Sequence, residues 1–355
     1  MTEARATRSA GKVRAARLTD LAALGELSRL CQDDQADTRS LGLPVSGPPI
    51  GVFSLFRLPL GAFRPHDLLF VHETTGRLAG LIRVERESPR DEWTIVELDA
   101  IGAGDAGDIR FRLVQHLLRE GAKRGAVRFH VACADADGNV ELFMQAGFAR
   151  YGDEIVLVRP ADAPAVEPLS EADALAHGIR PAGPLDALPL ARLYASATPQ
   201  PVQRLEAVRL VDWERQGRDW RVPRSSLAPI LRFADVEAFV QEAGEGGSDG
   251  ATLDGLVQVG VAKEDQPHYL KVLARPGSDP TTLIRYGLSV IAARAPGADQ
   301  HRPNRGVIAA VRTYESPTDR RLEELGFRSI ATVTLLLKET VVRVAEPALV
   351  PAGVR

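Results

Sequence analysis

The stretch "TIVELDAIGAGDAGDIRFRLVQHLLREG" (94–121) joins an apolar run, a glycine-rich turn and a segment with apolar residues at helical spacing. It predicts a buried strand over 93–101 and, beyond the turn, an amphipathic helix over 108–123. The turn spells Gly102-x-Gly104-x-x-Gly107, the spacing of a dinucleotide-binding turn. A dinucleotide fold puts that fingerprint on the first strand and helix of its unit, with an acid ~20 residues further on. Here a helix and three strands come first, and Asp135 lies 28 residues after Gly107. In a chain with 31 glycines the pattern alone is weak, and the nicotinamide reading is the poorest of those considered.

Working outward, the chain repeats itself. "VRAARLTDLAALGELSRL" (13–30) aligns without a gap on "IRPAGPLDALPLARLYAS" (179–196), pairing Arg14 with Arg180, Asp20 with Asp186, Leu24 with Leu190 and Leu27 with Leu193. Further on, "ELFMQAGFARYGDEIVLVRP" aligns on "RLEELGFRSIATVTLLLKE", with Gly147-Phe148 on Gly326-Phe327. Two copies of one unit account for this, over 12–160 and 178–345. A linker at 161–177, rich in Ala, Pro and acids, joins them as an exposed connection. Residues 1–11 read as a flexible arm and 346–355 as a tail.

Each copy yields the same series of elements. The first has strand 13–17, helix 18–31, a Gly/Pro-rich stretch with a short helix near 52–58, and a hairpin turning at Thr75-Gly76. Strand 93–101, helix 108–123, strand 126–133, helix 138–146 and strand 153–159 follow. The second has hairpin strands 231–242 and 252–263, strand 268–275, helix 280–294, strand 306–314, helix 317–325 and strand 328–338. Hairpins alternating with strand-helix-strand crossovers imply an α/β fold with a mixed sheet. Asp279 reads as the cap of helix 280–294 with Pro280 as its first residue, and Ser316-x-x-Asp319 as a capping signature for the next.

Composition narrows the class. With 355 residues, 45% apolar and 26% charged, the chain is long enough for two cores and is neither disordered nor fibrous. A net charge of −3 gives no general attraction to nucleic acid or anionic membrane. Cys31 and Cys133 cannot build a disulfide framework or a four-ligand zinc site; both read as buried thiols of a reducing, cytoplasmic compartment. No apolar run approaches the ~18 residues of a membrane span, and the first residues lack the apolar core of a secretory signal. His116 reads as a surface residue, and His66 and His72 do not pair with a carboxylate, so no metal is expected.

Residues now carry a resemblance. The order of elements, Leu98-Asp99-Ala100 before the turn, Leu113-Val114 on the helix, "ELFMQAGF" (141–148), and in the second copy "YLKVLARPG" and "RRLEELGF" together resemble the GNAT superfamily of N-acetyltransferases, twice over nearly the whole chain. The resemblance implies two tandem acyl-CoA N-acyltransferase domains. Acetyl-CoA would lie beside Leu98, Ala100 and Ile101, with its diphosphate on the helix start at Gly107, Asp108, Ile109 and Arg110, and Phe143 near its thiol. Glu97 takes the place of a general base. An amine would be the acceptor, with no membrane and no nucleic-acid partner.

The departures are equally specific. The family's loop glycines fall on Asp108 and Arg110, and its basic residue on Asp105. One carboxylate at ~5 Å from a phosphate costs about 3 kcal/mol at an effective dielectric of ~20 before screening, roughly a hundredfold in affinity. Asp108 alternatively caps the helix. The family's usual tyrosine acid is replaced by Phe143 and by Leu322, unless another hydroxyl such as Tyr151 reaches the site. Loss of such an acid costs a factor of ~10²–10⁴. The rival expectation is therefore a catalytically inactive protein of the same fold that binds a small ligand or a protein partner. The segment 203–226, with six arginines, four acids and two tryptophans, reads as a solvated helix with its tryptophans inward, or as part of a substrate cleft.

Overall fold

The computed structural model describes residues 11–33, 41–44, 67–87, 91–102, 105–215, 222–229, 231, 233–244, 252–262, 266–294, 305–315 and 317–340. The expected short helix near 52–58, the arm before residue 11, the tail and the Ser316 cap lie outside them.

The first copy contains β1 (Lys12–Ala15), α1 (Leu21–Asp33), β2 (Asp67–Thr74), β3 (Arg77–Glu87), β4 (Glu92–Ala100), α2 (Ala106–Lys123), β5 (Arg128–Ala134), α3 (Asn139–Gln145) and β6 (Ala149–Arg159). After α4 (Glu171–Ala176), the second copy contains β7 (Ile179–Pro181), α5 (Ala187–Ala197), α6 (Gln200–Glu206) and α7 (Leu210–Trp213). It continues with β8 (Phe233–Glu242), β9 (Leu253–Ala262), β10 (His268–Ala274), α8 (Thr281–Arg294), β11 (Val307–Arg312), α9 (Thr318–Glu324) and β12 (Arg328–Glu339). The fold is a mixed α/β sandwich, as the alternation of hairpins and crossovers implies. The β2–β3 turn falls on Thr75 and Gly76, both with positive φ (51° and 78°), the geometry of a two-residue hairpin.

The twelve strands among the described residues form one sheet, in the order β1-β2-β3-β4-β5-β12-β6-β11-β10-β9-β8-β7. Of these strand pairs, β4–β5 and β10–β11 run parallel and the rest antiparallel. The closing strands of the two copies are exchanged: β12 pairs with β5 of the first copy, and β6 pairs with β11 of the second. Between them β6 and β12 pair antiparallel at the centre. Each copy therefore completes the other's sheet, which local periodicity does not announce.

Helices cover both faces. Leu24 and Leu27 of α1 pack on Leu69, Val71 and Leu81, while Ile109, Leu113, Val114 and Leu117 of α2 pack on Phe70, Ile82 and Leu98. Adjacent strand residues point to opposite faces, so α1 and α2 lie on opposite sides. The second copy repeats this with α5 over Val240, Leu256 and Leu273 and α8 over Val257, Leu270 and Val272. The α2 and α8 helices come close to the sheet at glycines. A Cβ on Gly80 would sit 2.6 Å from Ile109, and one on Gly255 2.7 Å from Leu283.

The aligned Arg and Asp residues become one device built twice. Arg14 donates two hydrogen bonds to Asp20 (2.6 and 2.9 Å), whose Oδ2 also accepts Arg17 N–H (2.7 Å), and Arg14 Nε reaches Glu73. Arg180 grips Asp186 (2.8 and 2.8 Å), Gly183 N–H donates to it (2.7 Å), and Arg180 Nε reaches Glu242. The arginine hydrogen bonds hold both aspartates below the usual carboxylate range. Each clamp fixes the angle at which the first strand turns into its helix.

Four details differ from expectation. The linker is partly structured, since Ser170 accepts Asp173 N–H to start α4, and Val166 and Leu169 pack on the second copy's core. Cys133 is buried, its thiol pushed up to about 12 by desolvation, but Cys31 is only half-buried. His116 is half-buried, edge-on to Phe70 at 5.1 Å. The helix after Asp279 begins one residue later, at Thr281, whose N–H bonds the Asp279 side chain (3.1 Å).

Candidate functional site

Parallel pairing of β4 with β5 stops at Ile95 and Val131. Beyond it Val96–Ala100 keep β3 on one edge and lose β5 on the other, because the strands diverge. A β-bulge at Val96, between the Arg83–Glu97 and Val84–Ile95 pairs, accentuates the turn. It also changes which way the residues face. Ile95 joins the core beneath α2, whereas Glu97 and Asp99 share the α1 face with their cross-strand neighbours Arg83 and Leu81. Both acids are enclosed, at 0% and 1% exposure, rather than solvent-facing. Glu97 pairs with Arg83 Nε at 3.2 Å.

A narrow cavity of about 30 Å³, open to solvent, lies at the divergence. Thr94, Ile95 and Val96 of β4 and His130 of β5 form one wall; Tyr151 of β6 and Arg312 of β11 form another. Arg224, Ser225 and Ser226, from the chain between α7 and β8, close it. The exchanged strands bring these groups together, so both copies contribute to one cavity.

Its walls are held by buried ion pairs. Arg312 lies opposite Glu154 in the β11–β6 register and bonds it through Nε (2.9 Å), while its Nη2 reaches Glu206 (2.8 Å) and the Arg224 carbonyl (3.1 Å). Burial opposes the charge of Arg312, but Glu206 and Glu154 outweigh it and hold its pKa well above the ordinary value. Glu154 also accepts Ser226 N–H (2.8 Å), and Glu206 accepts the Tyr194 hydroxyl (2.6 Å). The Arg312 guanidinium lies 5.6 Å from the centre of the Tyr151 ring. Glu92 makes a second node, bonded to Arg224, to Arg128 (3.4 Å) and to His130 Nε2 (3.2 Å).

Tyr151 is the ionisable hydroxyl of this cavity. Desolvation pushes its phenol up to about 12, so it carries its proton throughout the neutral range. The other expected residues do not line the cavity. Leu98 and Ile109 are core, Ala100 and Ile101 are half-buried at the strand's end, and Phe143 is fully enclosed, edge-on to Phe148 at 5.3 Å. Arg110 is buried and turned inward to Asn139 Oδ1, away from a loop role. Asp105, not Asp108, is the N-cap residue of α2, and its side chain makes no capping bond. Asp108 stands in the first turn, exposed and paired with Arg112 (2.8 Å). Gly107 opens to free space.

In the segment 203–226, Trp213 is buried against Tyr194 (5.8 Å) and Arg224 enters the cavity wall, so the cleft alternative describes its end. Trp220 lies outside the described residues. Arg312 and His130 were not foreseen, because nothing local marks them; Arg224, Ser225 and Ser226 close the segment whose cleft alternative had been read from its composition.

The second copy has the same divergence, beyond Leu270 and Ala309, but a side chain fills it. Lys271, 1% exposed, crosses to the Ala310 carbonyl (3.2 Å) and to Glu315 (3.2 Å), and Glu315 also accepts Arg312 N–H (3.0 Å). Among the described residues no cluster of His, Cys, Asp or Glu is placed to hold a metal, and no helix is long and apolar enough to cross a membrane.

No family model matches the sequence, and no curated protein matches it. Solved structures do. A tandem GNAT protein from the clavulanic acid biosynthesis pathway, solved without acetyl-CoA, superposes with a TM-score of 0.51 at 14% identity, over 93% of this chain and 98% of that one. The GCN5-related N-acetyltransferase from Sphaerobacter thermophilus gives 0.50 at 16% identity, over 93% and 95%. Alignment over nearly the full length of both partners, with the divergent β4–β5 and β10–β11 pairs, leads to one conclusion: the chain has the tandem GNAT acetyltransferase fold.

Proposed function

We propose that the protein is an acyl-CoA-dependent N-acyltransferase with one working site, in the first copy, that moves an acetyl group to an amine. The observation that carries this is the contrast between the two divergences: the first opens into a cavity containing Tyr151, and the second is filled by Lys271.

The fit to acyl-CoA is good at one end and strained at the other. Val96–Ala100 offer a strand edge without a β5 partner, against which an extended amide-bearing arm can pair. Gly107 leaves room at the start of α2, and helix N-termini favour anions. Asp105 and Asp108 stand at that same turn and oppose the diphosphate, although Arg112 offsets Asp108. Bound there, the thioester supplies an activated acyl group. The chain's own residues do the rest in this reading. Tyr151 donates its proton to the departing thiolate, the role lost at Phe143. Glu97 stands one residue beyond the cavity wall at Val96 and removes a proton from the amine through water. Ser225, Ser226 and Arg224 shut the cavity from solvent.

The inactive-protein alternative applies to the second copy. Lys271 and Glu315 occupy its gap, Leu322 is fully buried where a proton donor would stand, and Asp279 bonds Thr281 where a diphosphate would approach.

The test is a screen of primary amines with acetyl-CoA, following thiol release. Turnover that falls at least tenfold in Tyr151→Phe supports the reading; no turnover with any amine, together with no acetyl-CoA binding, rejects it. Unchanged turnover in Glu97→Gln would remove Glu97 from the mechanism.

A further inference from the structure

A second concave site lies at the opposite end of β10 and β11 from the filled gap, where those strands begin. Its cavity volume is about 250 Å³, open to solvent, just below the ~300–1,000 Å³ of pockets for drug-sized ligands and enough for a smaller one. Val166 of the linker and Leu288 and Ile291 of α8 give it apolar walls; Arg159 and Arg305, beside the neutral ring of His268, give it a cationic end. Among the described residues no carboxylate lines it.

Two of the polar groups are poised toward an anion. Arg159 is half-buried, and its Nε and Nη2 donate only to the carbonyls of Leu325 (2.9 Å) and Pro164. No carboxylate pairs with it among the described residues, and desolvation alone lowers its pKa. A guanidinium taken partly out of water without a counter-charge is costly, and a bound anion would relieve that cost. His268 is 6% exposed, and its Nδ1 accepts the Ala262 N–H at 3.1 Å. An N–H donor at Nδ1 fixes the tautomer, so Nε2 carries the ring hydrogen and is a donor.

We propose that this pocket binds a small organic carboxylate with an aliphatic or aromatic body, the carboxylate against Arg159, Arg305 and His268 and the body against Val166, Leu288 and Ile291. Arginine suits a planar carboxylate better than a point charge. The site is separate from the β4–β5 cavity, and the proposal does not depend on acyl transfer.

The probe is octanoate, titrated calorimetrically into the full chain beside inorganic phosphate and octylammonium. Octanoate should bind at one site per chain, at least tenfold more tightly than either control. Arg159→Gln and Arg305→Gln should each weaken it about tenfold, and Ile291→Trp, which fills the apolar end, should abolish it with the thermal midpoint retained. Absence of octanoate binding overturns the proposal, as does unchanged affinity in all three variants. Equal binding of phosphate or of octylammonium would overturn the assigned ligand class.

Discussion

Glu97 and Lys271 occupy the same position in the two copies. Each lies three residues before the strand end marked by the pairs Gly80–Ala100 and Gly255–Ala274, and each is enclosed, at 0% and 1% exposure. Glu97 turns sideways to Arg83 on the neighbouring strand (3.2 Å), which leaves the first gap open. Lys271 instead reaches across the second gap to β11 and Glu315. One substitution of charge at one register position separates an open divergence from a closed one.

Lys271 should therefore be a structural ion. Lys271→Met strands Glu315 in the interior and is expected to cost about 3–5 kcal/mol, read by urea unfolding. Adding Glu315→Gln should recover at least half of that loss. A single variant of unchanged stability would contradict the assignment.

The Arg312 node ties the two copies together. Arg312→Met leaves Glu154 and Glu206 buried without their guanidinium and should lose about 3–5 kcal/mol. Because β12 lies between β5 and β6, residues 1–165 and 166–355 expressed separately should each fail to unfold cooperatively and should regain cooperativity when coexpressed. Cooperative unfolding of either fragment alone as a monomer would refute the exchanged pairing.

Base should weaken the fold in a defined window. Desolvation raises the phenols of Tyr151, to about 12, and of Tyr194 and Tyr269 above the ordinary value. An unfolded tyrosine titrates near ~10, so above that pH the unfolded chain has lost protons the native chain keeps. Native protein then binds more protons, and unfolding free energy falls as pH rises, by up to ~1.4 kcal/mol per unit for each tyrosine. Urea midpoints from pH 8 to 11 test this: flat to about pH 10, then falling. A midpoint that rises above pH 10 would be inconsistent with buried neutral phenols.

The acids at the start of α2 should hinder the diphosphate. Asp105→Asn with Asp108→Gly is expected to tighten acetyl-CoA about tenfold rather than a hundredfold, since both acids are exposed and Arg112 already offsets one. The gain should shrink with added salt. Weaker binding in the double variant would show that the acids help the site.

Much of this was legible in the chain because it is local. The paired Arg14/Asp20 and Arg180/Asp186 were visible as an alignment and proved to be matching clamps, and Thr75-Gly76 announced a two-residue turn by its need for positive φ. Tyr151 was named as a substitute hydroxyl and does line the cavity. What stayed hidden is non-local. β6 and β12 are both closing apolar strands, and neither carries a mark of which β-strand it will pair with. The Val96 bulge shifts side chains between faces without a sequence sign. The wall residues Arg224, Ser225 and Arg312 lie far from β4 in sequence and reach the β4–β5 gap only through the exchange.

The most direct measurement is a calorimetric titration with acetyl-CoA of the parent chain, of Thr94→Trp, which fills the first cavity, and of Lys271→Met/Glu315→Gln. One site per chain in the parent, lost in the tryptophan variant and retained in the other, is the predicted result. Two sites per chain, or one site that survives Thr94→Trp, would contradict a single working gap in the first copy.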